Sequence, residues 1–452
     1  MTPRGIGDDR ALGLVEAALR VDGADEVEAT LVSEVGGLTR FADSVIHQHT
    51  ERADAQLKVR VVTSRRSATV STNQLTPESI RDAGRRALEM ASLSPPDAAY
   101  PGLPSDGGAP LPDADEVASR YDGETAEATP RWRGERVREV VDAAGGRPAA
   151  GFFSTQANEC ALANTNGIRR YGRLTVAAFT GMVRSDDGSA HHEEAAPRAS
   201  AIPVGEVAER LAADADRARG ATDIDPGTYP VVLLPLAVAE MVQYLAYVGF
   251  GARDVLNEES FLVDWAGRPC AAPVVTIADD VGDPASLGPA FDWEGVWRQR
   301  VAVIDGGVAT GPVYDTRTAA EAGTVTTGHS TGSREYGPFP ANLVVGAGDS
   351  AVEELIGGID RGLLVPRFWY VNVVNARETV LTGMTRDGLF RIEDGKVAGP
   401  VHNLRFTQNV LEALRACSGV GRETLVQSSG WDSVVAPALR LDRFTFTSGT
   451  SH

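Results

Sequence analysis

The sequence predicts an α+β protein. An N-terminal α/β domain of two related halves should precede a C-terminal domain dominated by antiparallel β-sheet, of barrel-like form. Its 452 residues suffice for two or three domains. A helix–strand–helix order near the start of the chain recurs weakly after Arg131. Beyond Pro226, Asp-Gly pairs flanked by apolar residues are typical of tight hairpins. These pairs are Asp305-Gly306, Asp387-Gly388 and Asp394-Gly395.

Residues 1–93 form the first predicted α/β half. Ala11 to Arg20 has the apolar spacing of a helix, and apolar residues alternate with basic ones over 57–61, as in a half-buried strand. Thr76-Pro77-Glu78 opens a second helix, because proline is favoured in the first helical turn.

Residues 94–130 are predicted to be a linker, because they are rich in proline, glycine, aspartate and alanine and lack periodicity. Residues 131–225 form the second half. A helix through Val137 to Ala143 and a strand over Arg173 to Met182 are separated by Asn166-Gly167, a pair that favours a hairpin turn.

Residues 226–452 form the predicted β-rich C-terminal domain. The apolar stretch from Val231 to Ala252 is interrupted by Pro235 and Glu240, and a charge at bilayer depth is costly. It therefore predicts a buried helix and no membrane partner. The main helices of this domain are expected over Leu236–Val248, Ala351–Ile359 and Val410–Ala416.

The charge balance excludes a protein that binds nucleic acid mainly through phosphate contacts. With 43 basic and 62 acidic residues, the net charge of −19 has the wrong sign. The three cysteines, Cys160, Cys270 and Cys417, form no C-x-x-C pair, which favours a reducing cytosol. The first twenty residues carry charges where a signal peptide needs an apolar stretch, so a cytoplasmic location is expected.

One glycine-rich segment resembles a nucleotide-binding fingerprint. Gly346 to Ala351 fits G-x-G-x-x-A, but Asp349 would bring a carboxylate to the phosphate. The preferred interpretation is a capping box, formed by Ser350 and Glu353, that starts a helix. Nucleotide binding through Gly346 and Gly348 stays open as an alternative.

A second segment, Gly328 to Gly332, spells the G-x-S-x-G pattern of serine hydrolases. Glycines and prolines follow the serine, where a nucleophile elbow requires a helix. The segment is therefore predicted to be a loop.

No histidine lies in H-E-x-x-H or another helical zinc-binding spacing. His47 and His49 would share one face of a strand, and the run from His191 to Glu194 is polar. Both groups are interpreted as solvated surface. The acidic residues Asp279, Asp280 and Asp283 lack the spacing of a calcium loop and indicate an acidic turn.

The predicted helix over 236–248 carries a narrow polar stripe on an otherwise apolar surface. Its members are Glu240, Gln243, Tyr244 and Tyr247, spaced at i, i+3, i+4 and i+7. Such a stripe indicates that this face of the helix borders a cleft or a partner. The equally weighted alternative is that the two tyrosines simply extend their hydroxyls into water.

The chain resembles the TldD/PmbA family along nearly its whole length. The specific stretches are 71–78, the hairpin from Arg300 to Val308, the segment from Gly348 to Leu363 and the segment from Phe390 to Val401. The resemblance implies a peptide-degrading metalloprotease in which TldD-type and TldE-type (PmbA) subunits pair as a heterodimer.

In TldD-type subunits the helix matching 236–248 carries H-E-x-x-x-H, whose histidines bind zinc with a later cysteine while the glutamate is the general base. The matching positions here are Gln243, Tyr244 and Val248, a degenerate motif, and serines follow Gln427 where the cysteine is expected. The resemblance therefore implies a TldE-type subunit with no catalytic residue and no metal of its own, next to a zinc-containing TldD-type partner.

The role implied for such a subunit is to complete the enclosure through which an unfolded peptide reaches the partner's zinc. Peptides could be held as added strands on sheet edges. The competing hypotheses are the nucleotide-binding protein and a free-standing metallopeptidase with a non-standard metal site. That site would draw on His191, His192, Glu193 and Asp279.

Overall fold

The computed structural model describes residues 5–106, 120–428 and 430–450. It confirms an α+β fold with two sheets. Parts of the predicted linker (residues 107–119), the N-terminal residues 1–4, Ser429 and the terminal residues 451–452 lie outside the described residues.

Strands from both predicted halves form one antiparallel N-terminal sheet of six strands, in the order β3-β2-β1-β4-β5-β6. The strands are β1 (Glu26–Ala42), β2 (Val45–Thr63), β3 (Arg66–Thr72), β4 (Ala149–Asn164), β5 (Arg169–Arg184) and β6 (Ser189–Ala196). The predicted turn at Asn166-Gly167 joins β4 to β5. Strand β6 lies at one end of this sheet and pairs with β5 alone among the described strands.

Helices cover one face of the N-terminal sheet. They are α1 (Asp8–Ala18), α2 (Pro77–Leu93), α4 (Pro130–Ala143) and α5 (Val204–Arg217), and a short α3 (Gly123–Ala126) and a 3₁₀ turn (Ala199–Ala201) lie between them in the chain. Helix α2 begins at Pro77 as predicted, and the hydroxyl of Thr76 caps it by accepting a hydrogen bond from the amide of Ser79 at 3.2 Å. The apolar side of α2, including Ile80, Ala83 and Ala87, is buried against the sheet.

The opposite face of the N-terminal sheet is more polar and faces the C-terminal half. The indole of Trp431 donates a hydrogen bond to the carboxylate of Glu34 at 2.9 Å, and the amide of Asn158 donates to the carbonyl of Gly430 at 3.1 Å. The tip of a C-terminal hairpin therefore rests on the middle of this face and leaves cavities on either side of it.

The C-terminal half is built on a sheet of 13 strands. Its strands are β7 (Gly227–Leu233), β8 (Ile277–Asp279), β9 (Val301–Asp305), β10 (Val308–Ala309), β11 (Asn342–Val345), β12 (Arg361–Val365), β13 (Phe368–Asn375), β14 (Val380–Thr385), β15 (Leu389–Glu393), β16 (Lys396–Val401), β17 (Leu404–Asn409), β18 (Cys417–Ser428) and β19 (Ser433–Gly449). Most pairs are antiparallel, but β7 pairs with β12, and β11 with β19, in parallel.

The barrel-like form predicted for this domain is wrong, because the sheet does not close. Its main path runs from β10 to β16, and β19 carries branches to β18 and through β17 and β14 to β13. Since β19 is 17 residues long, different parts of it pair with different neighbours. A branched sheet keeps open ends, and β13 is one of them.

The C-terminal helices are α6 (Pro235–Gly249), α7 (Ala252–Leu256), α8 (Leu262–Trp265), α9 (Thr316–Ala322), α10 (Val352–Gly357) and α11 (Val410–Arg415). The three helices predicted here are present, although α10 is shorter than predicted. No helix in the described ranges combines the length and apolar character needed to cross a bilayer.

Two of the three Asp-Gly turns join neighbouring antiparallel strands as predicted. They are Asp305-Gly306 between β9 and β10, and Asp394-Gly395 between β15 and β16. The prediction is wrong at Asp387-Gly388, because β14 pairs with β13 and β17 whereas β15 pairs with β12 and β16. That turn carries the chain from one branch of the sheet to another, and Asp387 binds Arg367 there.

Candidate functional site

The candidate site is a cavity of about 410 Å³ between the end strand β6, the helix α6 and the end strand β13, called here the α6 pocket. It is lined by His191, Glu193, Leu236, Glu240, Tyr244, Arg367, Phe368, Trp369, Tyr370, Val371, Asn372 and Gln427. The two halves of the chain therefore both contribute to it.

Helix α6 supplies the floor of the pocket. Its apolar positions are buried in the C-terminal core, which leaves the polar stripe predicted from the sequence on the remaining face. Glu240 and Tyr244 of that stripe line the pocket. Gln243 is half-buried and does not line the pocket. Tyr247 is 62% exposed and lies beside Phe339, with the centroids of the two rings 6.5 Å apart.

Two carboxylates face the cavity without a hydrogen bond or ion pair in the part of the chain that the structure describes. They belong to Glu193 and Glu240. Burial raises the pKa of both groups, and the positive charge of Arg367 partly opposes this effect. The charge of Glu193 raises the pKa of Glu240 further, so the two carboxylates repel each other across the pocket.

The positive charge of Arg367 is already paired. Its Nε and Nη2 atoms donate to Oδ2 of Asp387 at 2.7 and 2.6 Å, and the hydroxyl of Ser189 donates to the other oxygen of Asp387 at 2.7 Å. Asp387 is buried. Because this ion pair neutralises the guanidinium, Glu193 and Glu240 are the acidic groups of the pocket that lack a paired cation among the described residues.

His191 enters the pocket as a neutral ring. Burial lowers its pKa to about 3, with the charge of Arg367 adding to the effect and that of Asp387 opposing it. Its Nδ1 atom is buried and makes no hydrogen bond to any described residue. The imidazole therefore supplies polarity without charge near pH 7.

Strand β13 supplies an aromatic wall. The ring centroid of Trp369 lies 5.0 Å from the guanidinium of Arg367 and 5.1 Å from that of Arg386. Tyr370 is 71% exposed and has a φ of 55°, a left-handed conformation that is strained for a bulky residue. The pairing of β13 with β14 is irregular at this point, so the strain accompanies a bulge beside the pocket.

The interpretation of His191 to Glu194 as solvated surface is wrong, because this run lies within β6, where His192 is buried and the other three side chains are half-buried. His191 and Glu193 face the α6 pocket, whereas His192 projects to the other face of the sheet beside Phe179, since side chains alternate along a strand. Its Nε2 atom lies 3.0 Å from the carboxylate of Glu194. His47 and His49, by contrast, are exposed on β2 as predicted.

The acidic turn predicted over 279–283 is wrong for Asp279, which ends β8 and is completely buried. Its Oδ1 atom lies 3.1 Å from Nε2 of the equally buried His329. Asp280 is partly exposed and pairs with Arg300 at 2.8 Å. Asp279 and His192 therefore do not join His191 and Glu193, and the metal site suggested for a free-standing peptidase is not assembled.

The glycine-rich segment 346–351 packs against strand β18 through Gly348. The amide of Gly348 donates to the carbonyl of Gly421 at 2.8 Å, and a Cβ atom on Gly348 would lie 2.4 Å from the carbonyl of Val420. The capping prediction was off by one residue, because the carboxylate of Glu354 accepts from the amide of Ala351 at 2.7 Å. This segment leaves no phosphate cradle.

The segment 328–332 is a loop, as predicted, and no helix follows Ser330 directly.

Two of the positions that the resemblance aligns with the zinc motif, Tyr244 and Val248, have surroundings that do not suit a metal ligand. Val248 is buried without a donor atom, and burial followed by the charge of Glu240 raises the pKa of Tyr244. Within the described ranges, no group of three His, Cys, Asp or Glu side chains is arranged to hold a metal ion.

The sequence did not identify the β13 side of the pocket. Arg367, Trp369 and Tyr370 stand together in the run 367–370, and the only available signal was a set of aromatic residues beside an arginine. Gln427 also lines the pocket, next to the region expected for the family's cysteine; Ser429 of that region lies outside the described residues.

Comparisons with known proteins agree with this architecture. Residues 226–448 match the family described as the PmbA/TldA metallopeptidase C-terminal domain. A metalloprotease of Methanothermobacter thermautotrophicus is 26% identical over 222 residues, which are 49% of this chain and 48% of that protein. The match thus spans about half of that relative's length.

Two further comparisons cover nearly the whole chain. Metalloprotease PmbA of Escherichia coli O157:H7 is 22% identical over 446 residues, 94% of this chain and 93% of that protein. The crystal structure of TldE from Thermococcus kodakarensis superposes with a TM-score of 0.86 at 22% identity, covering 96% of this chain and 99% of that one. The superposition on the TldE structure establishes the fold.

Proposed function

Because this chain belongs to the TldD/PmbA family, we propose that it is a TldE-type subunit of a two-chain metalloprotease that degrades unfolded peptides. In this proposal the chain binds no zinc, and a TldD-type paralogue supplies the metal and the general base. This chain contributes a wall of the enclosure in which the peptide is held.

The composition of α6 carries the proposal. The three positions that match the family's H-E-x-x-x-H motif are Gln243, Tyr244 and Val248. A neutral amide, a protonated phenol and a buried aliphatic side chain cannot together replace two imidazoles and a glutamate. Such a helix is expected in a subunit that works through its partner.

The arrangement of strands supports a role in holding peptides. β6 and β13 each lie at an end of their sheet, and both contribute side chains to the α6 pocket. An extended peptide can pair with an end strand through backbone hydrogen bonds, which gives affinity with little sequence preference. The three cysteines are buried free thiols, in keeping with the cytosolic location that we propose.

The purified chain is expected to contain no stoichiometric zinc and to cleave no peptide, because α6 lacks the ligands. Elemental analysis by mass spectrometry after dialysis against trace zinc checks this. One tightly held zinc per chain, together with chelator-sensitive peptidase activity of the chain alone, would instead favour a free-standing enzyme.

Mixing the chain with a TldD-type paralogue from the same organism tests the proposed function directly. We expect one heteromeric peak in size-exclusion chromatography and peptide turnover about tenfold above that of the paralogue alone, a change of about 1.4 kcal/mol in activation free energy. Tyr244→Ala should alter turnover only modestly, whereas removing zinc from the paralogue should abolish it. Full activity of the paralogue alone, without a complex, would refute the proposal.

A further inference from the structure

We propose that the α6 pocket binds a cationic side chain, lysine or arginine, of an extended peptide that pairs with the open edge of β13. This inference rests on the proposed function in one respect only, namely that the ligand is a peptide. It adds a preference for basic side chains to a subunit that otherwise binds the peptide through backbone hydrogen bonds alone.

The charges around the pocket favour a cation. Glu193 and Glu240 face the cavity without a hydrogen bond or ion pair to any described residue, whereas the nearby Arg367 is neutralised by the buried Asp387. His191 is neutral at physiological pH, since burial lowers its pKa. A guanidinium or ammonium placed between the two carboxylates would relieve their mutual repulsion and form charge-assisted hydrogen bonds.

The shape and lining of the pocket suit a long side chain with a charged end. A volume of about 410 Å³ accommodates a lysine or arginine side chain together with water. Leu236, Tyr244 and Tyr370 offer apolar surface for the methylene groups. The aromatic rings also favour a nearby cation through their π faces.

The edge of β13 provides the backbone contacts. Among the described strands it pairs only with β14, and the run Phe368–Asn375 contains no proline or charged residue of the kind that usually protects an exposed edge. Trp369, Tyr370, Val373 and Val374 are all exposed. A peptide strand that pairs here would cover these side chains and place alternate residues toward the pocket.

The test measures fluorescence anisotropy of labelled octapeptides that bind to the full chain without any partner. The peptides share one sequence and carry arginine, lysine, norleucine or glutamate at a central position. We expect the arginine and lysine peptides to bind about tenfold more tightly than the norleucine peptide, and the glutamate peptide to bind most weakly. Added salt should weaken only the charge-dependent part of the affinity.

The Glu193→Gln/Glu240→Gln double variant should bind all four peptides within about threefold of one another, close to the affinity of wild type for norleucine. Retained norleucine binding reports that this variant is folded. Glu353→Gln, a substitution on the exposed start of α10, is the matched control and should preserve the preference for basic residues. The double variant Glu193→Lys/Glu240→Lys should favour the glutamate peptide.

Methylation of alternate backbone amides tests the strand pairing. One set of alternate positions should weaken binding about tenfold, and the other set should leave it unchanged, because a strand's amides point alternately toward and away from the edge. Equal binding of all four peptides, no detectable binding, or a preference that survives in the Gln double variant would overturn the inference.

These outcomes separate the inference from the proposed function. If the chain formed an active heteromeric complex but showed no preference for basic residues, only the inference about the pocket would be refuted. If the chain bound basic peptides selectively but formed no complex, the inference about the pocket would stand and the proposed subunit role would be refuted.

Discussion

Asp279→Ala should lower the free energy of unfolding by about 3–5 kcal/mol, the largest loss expected from a single substitution outside the α6 pocket. Asp279 lies at the end of β8 with no exposed surface, and its Oδ2 atom accepts a hydrogen bond from the amide of Asn342 at 2.8 Å. Its other oxygen lies 3.1 Å from His329. The carboxylate thus connects two strands and a loop of the C-terminal core.

The loss is large because the amide of Asn342 and the ring of His329 would lose their buried partner, and Arg298 would lose one of the two buried carboxylates whose charges act on it. Arg298 is buried, and its Nε and Nη1 atoms make no hydrogen bond to any described residue. Burial by itself would raise the pKa of Asp279, but His329 and Arg298 and the bond from Asn342 together hold it below its usual range. Buried polar groups that lose their partner are costly.

Urea denaturation of Asp279→Ala and of the neighbouring Asp280→Ala provides a matched comparison. Asp280 pairs with an Arg300 whose side chain is 55% exposed, so we expect its substitution to cost about 1 kcal/mol or less. A depressed pKa in the folded state means that the contribution of Asp279 is complete above about pH 4 and is lost as the pH falls further. The two variants should therefore converge in strong acid. Equal losses for both at pH 7 would contradict the role assigned to Asp279.

The features that the sequence could predict are those determined by neighbouring residues. The i, i+3, i+4, i+7 spacing placed Glu240 and Tyr244 on one face of α6, and both line the pocket. The turn that follows Asp305 is likewise local, because Gly306 and Gly307 both have a positive φ and two such residues are enough to reverse the chain.

The features that the sequence could not predict depend on residues far apart in the chain. Asp387-Gly388 has the composition of a hairpin, but the pairing partners of the flanking strands lie elsewhere in the sheet. His191 and Arg367 meet in one cavity although no local pattern connects them. The acidic run 279–283 has the composition of a surface turn, but Asp279 is buried because β11 and the loop containing His329 pack over it.

Raising the pH from 5 to 8 should destabilise the folded chain, and Glu294→Gln should remove much of this effect. Glu294 and Glu28 line a second cavity, of about 280 Å³, between the N-terminal sheet and the C-terminal half. Burial raises the pKa of Glu28 to about 7, opposed by Arg60 and assisted by Asp292. Burial, followed by the charge of Asp292, raises the pKa of Glu294 to about 8.

The direction follows from proton linkage. Both carboxyl groups bind a proton more tightly in the folded state than in the unfolded chain, where the pKa of glutamate is 4.5. Their full contribution to stability is therefore present below pH 4.5 and is lost as the pH rises through 7 for Glu28 and 8 for Glu294. Above these values two buried carboxylates repel each other and the nearby Asp292.

Glutamine preserves the shape of glutamate but cannot ionise, and its carbonyl can still accept the hydrogen bond that Glu294 receives from the amide of Thr316 at 3.1 Å. Relative to wild type, Glu294→Gln should gain about 3 kcal/mol of unfolding free energy at pH 8 and less than about 1 kcal/mol at pH 5. The expected gain is smaller than the full linkage value because Glu294 keeps a small exposed fraction at the cavity, where water screens its charge. Urea denaturation at the two pH values measures the difference.

Adding Glu28→Gln should flatten the pH dependence further, but by less than the sum of the two single effects, because both groups interact with Asp292. The exposed Glu353→Gln variant is the control and should follow the wild-type profile at both pH values. If Glu294→Gln lost stability between pH 5 and pH 8 as steeply as wild type, Glu294 would have to be ionised in the folded protein at neutral pH. The cavity between the two halves would then hold a charged cluster instead of a protonated one.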